Sequence, residues 1–219
     1  MIWLEMLAPS GTSASQPPRS FRVAPGKWNY DWKVLSPVLA AGADSEKWNG
    51  VVRDFYRGRL KSRYLDAINS IRNPRARLGE GFAIVALQCS LIEFLESCHQ
   101  GMNYRHKKPV PPYEYNESGK IFVSFLTKRK PFSEHFDKDL AWDFYSSVRC
   151  GVLHEASTRG GWRIKAHSGS RIIDADERTV FRDGFQDALQ SFIDDYCAKV
   201  VADAELQKAF IRKYDHLCQ

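Results

Sequence analysis

No uncharged apolar stretch in this 219-residue sequence approaches the ~20 residues that cross a bilayer. A membrane-spanning segment is therefore not expected. The five cysteines (Cys89, Cys98, Cys150, Cys197 and Cys218) include no Cys-x-x-Cys pair, so neither a zinc knuckle nor a dithiol redox motif is available. Their odd number and scattered placement point to reduced thiols in an intracellular, cytoplasmic protein. Cys98, His99 and His106 lie close in sequence but lack a fourth ligand, and no metal is expected. The Gly-x-Ser-x-Gly elbow, the P-loop, the Gly-x-Gly-x-x-Gly turn after a strand and His-Glu-x-x-His are also missing. Those absences argue against serine hydrolases, nucleotide-dependent phosphoryl transfer, dinucleotide chemistry and zinc peptidases, and no cofactor is expected. There is no internal repeat.

What is present is an ordinary globular composition, 43% hydrophobic and 26% charged, with Lys+Arg 32 against Asp+Glu 26. The net charge of +6 permits a polyanionic partner without requiring one. The surplus is uneven: residues 46–80 carry nine bases and four acids, residues 174–205 three bases and nine acids. Arg53/Arg57 and Arg59/Arg63 recur at i,i+4, as a phosphate-facing ridge or a solvated helix face would.

The spacing of apolar residues predicts a mainly α chain. Residues 1–44 read as an irregular, flexible N-terminal segment. Its opening Met1-Ile2-Trp3-Leu4-Glu5-Met6-Leu7 has no basic lead, and a signal peptide is not expected there. Within it Trp28, Tyr30 and Trp32 alternate as a short extended stretch would. Residues 45–219 then form one helical domain. Ser45 caps a helix carrying Trp48, Val51, Val52, Phe55 and Tyr56, which resumes after Gly58 and stops at Asn73-Pro74. Phe82 to Leu95 is apolar nearly all round, as the central helix of a bundle is. The prolines at 109, 111 and 112 mark a linker. A short helix follows at 121–127, then one capped by Asp137 or Asp139 with Leu140, Phe144, Tyr145 and Val148 on its core face. A β-hairpin is expected at about 161–174, and two helices, 179–201 and 204–217, close the chain.

One segment carries potential chemistry: Trp142-Asp143-Phe144-Tyr145-Ser146-Ser147-Val148-Arg149-Cys150-Gly151-Val152-Leu153-His154-Glu155-Ala156. Arg149 and His154 are separated by four residues at the end of an amphipathic helix. This resembles the HEPN superfamily, whose signature is an Arg followed after four to six residues by a His in an all-helical bundle. A second match, Arg129 to His135, contains Pro131 and falls in a loop. The resemblance covers residues 45–217 as architecture and about fifteen as motif. It departs from the family at Cys150, where Asn, Asp or His is common, and in the hairpin. It implies a metal-independent endoribonuclease, dimeric, of toxin–antitoxin or anti-phage type, with Arg149 and His154 as catalytic residues.

On a continuous helix, residues five apart diverge by ~140°. Gly151 offers an αL break after Arg149, and a two-fold axis would gather two such pairs in one cleft. The residue types suit attack of an RNA 2′-hydroxyl on the adjacent phosphate. His154 exchanges a proton near neutral pH and Arg149 holds charge on the phosphorane. Cys150 and Glu155 are supporting positions. Lys128, Arg129, Lys130, Arg159 and Arg163 are candidate RNA phosphate contacts. The alternative is a non-catalytic helical module docking on a protein partner, such as an antitoxin or an effector complex, through residues 1–7 and 28–32.

Overall fold

The computed structural model describes residues 20–72, 79–108, 110–166 and 169–219. Within these the chain is mainly α, with seven helices and three small β-sheets.

Residues 20–44, read as irregular from the sequence, are ordered into the body. Strands β1 (Arg22–Ala24) and β2 (Lys27–Trp28) form an antiparallel hairpin, and helix α1 (Asn29–Ala40) follows at once. The expected extended stretch at 28–32 is thus one strand residue followed by helix. Spacings of two and four cannot be told apart by three aromatics, and Asp31 resolves them locally by accepting the Trp28 N–H at 2.7 Å. Trp32 is fully buried among Phe55, Phe210 and Tyr214. Its indole donates to Asp215 at 2.8 Å, and the Ser36 hydroxyl donates to the same oxygen at 2.6 Å. The N-terminal helix is thereby tied to the last helix of the chain. Residues 1–7 lie outside the described residues, as do Asn73, Pro74 and Pro109.

Helix α2 covers residues 45–71 with two wide, π-type stretches, Val52–Arg57 and Lys61–Leu65. Its cap is Asp44 rather than Ser45, accepting the Lys47 N–H at 2.8 Å. Helix α3 (Glu80–Gln100) is the centre of the fold, in contact with α2, α4 (Ser118–Lys128), α5 (residues 138–155), α6 (Arg182–Ala202) and α7 (Ala204–Leu217). By length and mean hydropathy (1.5) α3 alone among the described helices could cross a bilayer, but 56% of that window is buried inside the protein. A core helix has this character. It ends on Gly101 at φ +64°, with Met102 N–H bonded to Ser97 O at 2.9 Å. A Cβ there would meet the Ala209 backbone at 2.7 Å, so the position serves α7 packing as well as the turn.

A short parallel ladder, β3 (Asn103–Tyr104) with β4 (Glu114–Tyr115), bridges α3 and α4. Helix α5 is capped by Asp137, which accepts the Leu140 N–H at 2.8 Å, and runs through a π-type stretch, Tyr145–Cys150.

The expected hairpin is differently built. Strand β5 (Arg163–Lys165) does not pair with β6 (Ile173–Asp174). Both pair with β7 (Thr179–Phe181), β5 in parallel and β6 antiparallel. β7 is buried at all three positions, as a central strand is, but it passes directly into α6 and so read as that helix's first turn. His167 and Ser168, in the expected turn, lie outside the described residues.

The thiols follow the burial. Cys89, Cys98, Cys197 and Cys218 are buried, and burial pushes Cys89, Cys98 and Cys197 up to about 12 and Cys218 up to about 11. Only Cys150 is partly open. Thiol titration of the native protein at pH 8 should therefore modify Cys150 rapidly and the other four only on denaturation. Fast modification of two or more native thiols would contradict the burial described.

Candidate functional site

Helix α5 presents the motif in an unbroken form. Gly151 stays right-handed (φ −57°, ψ −51°), and the left-handed residue is Ala156 at φ 52°, after the helix has ended. The break expected at Gly151 does not occur. The glycine is needed for another reason: a Cβ there would lie 2.5 Å from Ser157 O, because residues 157–159 fold back over the helix. The Arg159 N–H bonds to Ser147 O at 2.8 Å in that return. Arg149 and His154 therefore leave one helix at widely different angles, and a single chain does not close them around one atom.

Arg149 is half-buried against α3. Its guanidinium lies 5.4 Å from the centre of the Tyr145 ring and 3.8 Å from Glu93 Oε2. Glu93 is the hub. Its other oxygen accepts from the Tyr115 hydroxyl at 3.0 Å and the Ser118 hydroxyl at 2.8 Å. Burial first, then the Glu93 charge, pushes the Tyr115 hydroxyl well above its ordinary range. Burial also raises Tyr145, with the Arg149 charge opposing. Glu93, Tyr115 and Ser118 escaped the sequence reading, which placed Tyr145 only on the core face of its helix. The available signal was an acid inside the apolar run 82–95, since a partly buried carboxylate needs donors and a cation.

His154 is exposed, as are its neighbours Leu153 and Glu155. Glu155 does not orient it: its carboxylate is taken by Arg159 through a two-point contact, one arm at 2.7 Å. Cys150 is half-buried beside Tyr145. Positions 142, 146, 149, 150 and 153 form the open side of α5, opposite buried Ala141, Phe144, Val148 and Val152. Trp142 and Leu153 are 37% and 48% exposed there, which puts apolar surface on both flanks of Arg149.

The nominated phosphate contacts divide. Arg129 is not free: Nε and a terminal nitrogen grip the two oxygens of Glu96 at 2.8 and 3.0 Å. Glu96 is fully buried and also accepts from Ser124 at 2.8 Å and from Gln100. Arg159 is held by Glu155. Lys128, Lys130 and Arg163 are exposed, with Lys130 3.1 Å from Glu134. Among the described residues no cluster of three or more His, Cys, Asp or Glu is placed to hold a metal. A cavity of about 650 Å³ between α1 and α7 is lined by Asn103, Arg212 and His216 and includes neither Arg149 nor His154. Comparison with protein-family models, with curated proteins and with solved structures finds no match.

Two outcomes follow from this geometry. Arg129→Ala strands a fully buried carboxylate and should cost about 3–5 kcal/mol of stability. Arg129→Lys should recover only part of it, having no two-point fork; urea unfolding midpoints measure both. Gly151→Ala improves helix propensity by about 1 kcal/mol yet forces the 157–159 return outward, so a net loss of about 1–3 kcal/mol is expected. A stabilised Gly151→Ala variant would show that the return is not packed as described.

Proposed function

We propose that the chain is a metal-independent endoribonuclease of HEPN type, cytoplasmic and homodimeric, serving as a toxin or anti-phage effector. The observation that carries this reading is the division of labour on α5. Arg149 is held by Glu93 and the Tyr145 ring at a half-open surface, while His154, five residues on, is open to a second molecule.

In this reading two chains associate across the open side of α5, with Trp142 and Leu153 as the apolar contacts. The Arg149 of one protomer then meets the His154 of its partner, supplying the convergence that one unbroken helix denies. The RNA 2′-hydroxyl attacks the adjacent phosphorus, the 5′-oxygen leaves, and a 2′,3′-cyclic phosphate and a 5′-hydroxyl result. His154 accepts or donates the transferred proton. Arg149 neutralises the equatorial oxygens of the phosphorane with a permanently charged, planar fork. DNA has no 2′-hydroxyl and is not cut by this route. Lys128, Lys130 and Arg163 are the exposed cations that remain for the RNA backbone.

A specific observation favours a second reading, a non-catalytic protein-interaction subunit. Arg149 lies beside a carboxylate, and no break in α5 brings His154 toward it. The same open side of α5 would then dock a different protein.

Incubation with total RNA in EDTA separates the two. The wild type should cut RNA to cyclic-phosphate ends, and His154→Ala should lose about 10²–10⁴ of the rate with an unchanged unfolding midpoint. Leu153→Glu should give monomers in sedimentation and lose cleavage with them. EDTA-resistant cleavage that survives His154→Ala would sink the enzyme reading.

A further inference from the structure

A second cluster of charge lies away from the open side of α5, where the ends of α3 and α4 meet α6. A cleft of about 140 Å³ is lined there by His99, Lys128, Arg129, Lys130 and Lys199, with Asp195 as the one carboxylate in its wall. Phe192 and Tyr196 form its apolar side and lie against the His99 ring, with centroids 6.4 and 5.7 Å away. The volume is below the ~300–1,000 Å³ of sites for drug-sized ligands and suits one small ion. Four permanent cations line it with one carboxylate, and Lys130 also lies 3.1 Å from Glu134 outside the lining. Asp195 is engaged by Lys199 at 2.7 Å, and Glu96 lies behind Arg129, filled by its own donors. Lys128 is exposed at the mouth.

We propose that this cleft is a binding site for a tetrahedral oxyanion, a phosphoryl group held by Lys128, Arg129, Lys130 and the His99 ring. The Arg129–Glu96 grip gives the site a built wall, because it fixes the guanidinium plane and leaves its remaining donor edge for a ligand. The aromatic side formed by Phe192 and Tyr196 restricts the water that would otherwise screen the charges. The site needs neither Arg149 nor His154, although it shares Lys128 and Lys130 with the RNA contacts of the ribonuclease reading. Free phosphate and the terminal phosphate of a nucleotide present the same chemistry to it.

His99 is the reporter. Burial, then the Arg129 charge, holds it below the ordinary histidine range, with Glu96 pulling the other way and Lys199 adding to Arg129. The remaining charges facing it are Lys128 and Lys130 from the end of α4 and Asp195 from α6. It is therefore neutral at pH 7 and gains a proton as the pH falls. A bound oxyanion stabilises the imidazolium, so it must raise the His99 midpoint, and its affinity must increase as the pH falls through that midpoint.

The test is an NMR titration of the His99 ring in the full chain, with and without sulfate, an oxyanion that does not itself titrate in this range. Sulfate should move the midpoint to higher pH, and inorganic phosphate should compete with it. Lys128→Glu should weaken sulfate binding at least about tenfold, while Lys120→Glu, on the same helix but outside the cleft, should leave it unchanged. A 5′-phosphorylated dinucleotide that shifts His99 where its 5′-hydroxyl counterpart does not assigns the site to a terminal phosphate. A shift with inorganic phosphate but neither dinucleotide assigns it to the free ion. A His99 midpoint indifferent to sulfate and phosphate, or binding unaltered by Lys128→Glu, overturns the proposal.

Discussion

The fold depends on burying α3, a helix that is apolar on nearly every side yet carries, besides Glu80 at its start, two acids in its packed half, Glu93 and Glu96, one turn apart. Their carboxylates cannot enter the interior without donors and counter-charge, because desolvating an isolated carboxylate costs more than helix packing returns. The surrounding elements are placed to supply both. Ser118 and Ser124 reach in from α4, Tyr115 from β4, Arg129 from the end of α4 and Arg149 from α5. The polar stripe of α3 thus fixes how α4 and α5 lie upon it, where the apolar side chains alone would tolerate several registers.

The same constraint reassigns residues that look like nucleic-acid contacts. Arg129 sits in a Lys-Arg-Lys run, and a basic run ordinarily reads as solvated or phosphate-facing. Its guanidinium instead spans a buried carboxylate, and in doing so it becomes the wall of a cationic cleft whose free charge comes from Lys128. Arg149 is likewise turned toward a carboxylate. It is close enough to Glu93 to be oriented by it and open enough to meet a further anion, which is a usual arrangement for a positioned cation.

Much of the architecture was legible because helices announce themselves by period. The helix holding Arg149 and the two terminal helices were readable within a few residues, since their apolar faces recur at three and four over more than two turns, and the central helix by its nearly unbroken apolar run. The failures are equally physical. Trp28, Tyr30 and Trp32 satisfied an alternating pattern and a helical one, and only the Asp31 cap and the Asp215 acceptor on α7 separate them. β7 is three buried residues abutting a helix, too short to show a period of two. Gly151 suggested a break because glycine permits one, but permission is not requirement. What needs a glycine there is the backbone of residues 157–159, packed against a helix that does not bend.

Taken alone, the sequence determined the mainly α class, the identity of the buried central helix, the polarised distribution of charge and the presence of one Arg–His pair at a helix end. Each of these is a local or compositional property that needs no pairing between distant residues. Only the tertiary structure decided which charges are spent on one another, that α5 is continuous, that residues 20–44 are part of the body, and that His99 meets the lysines after α4 and on α6. Those outcomes depend on pairs such as Trp32 with Asp215 or Glu96 with Arg129, residues 33 to 183 positions apart. Their meeting is set by burial of a common core, and no periodicity along the chain records it.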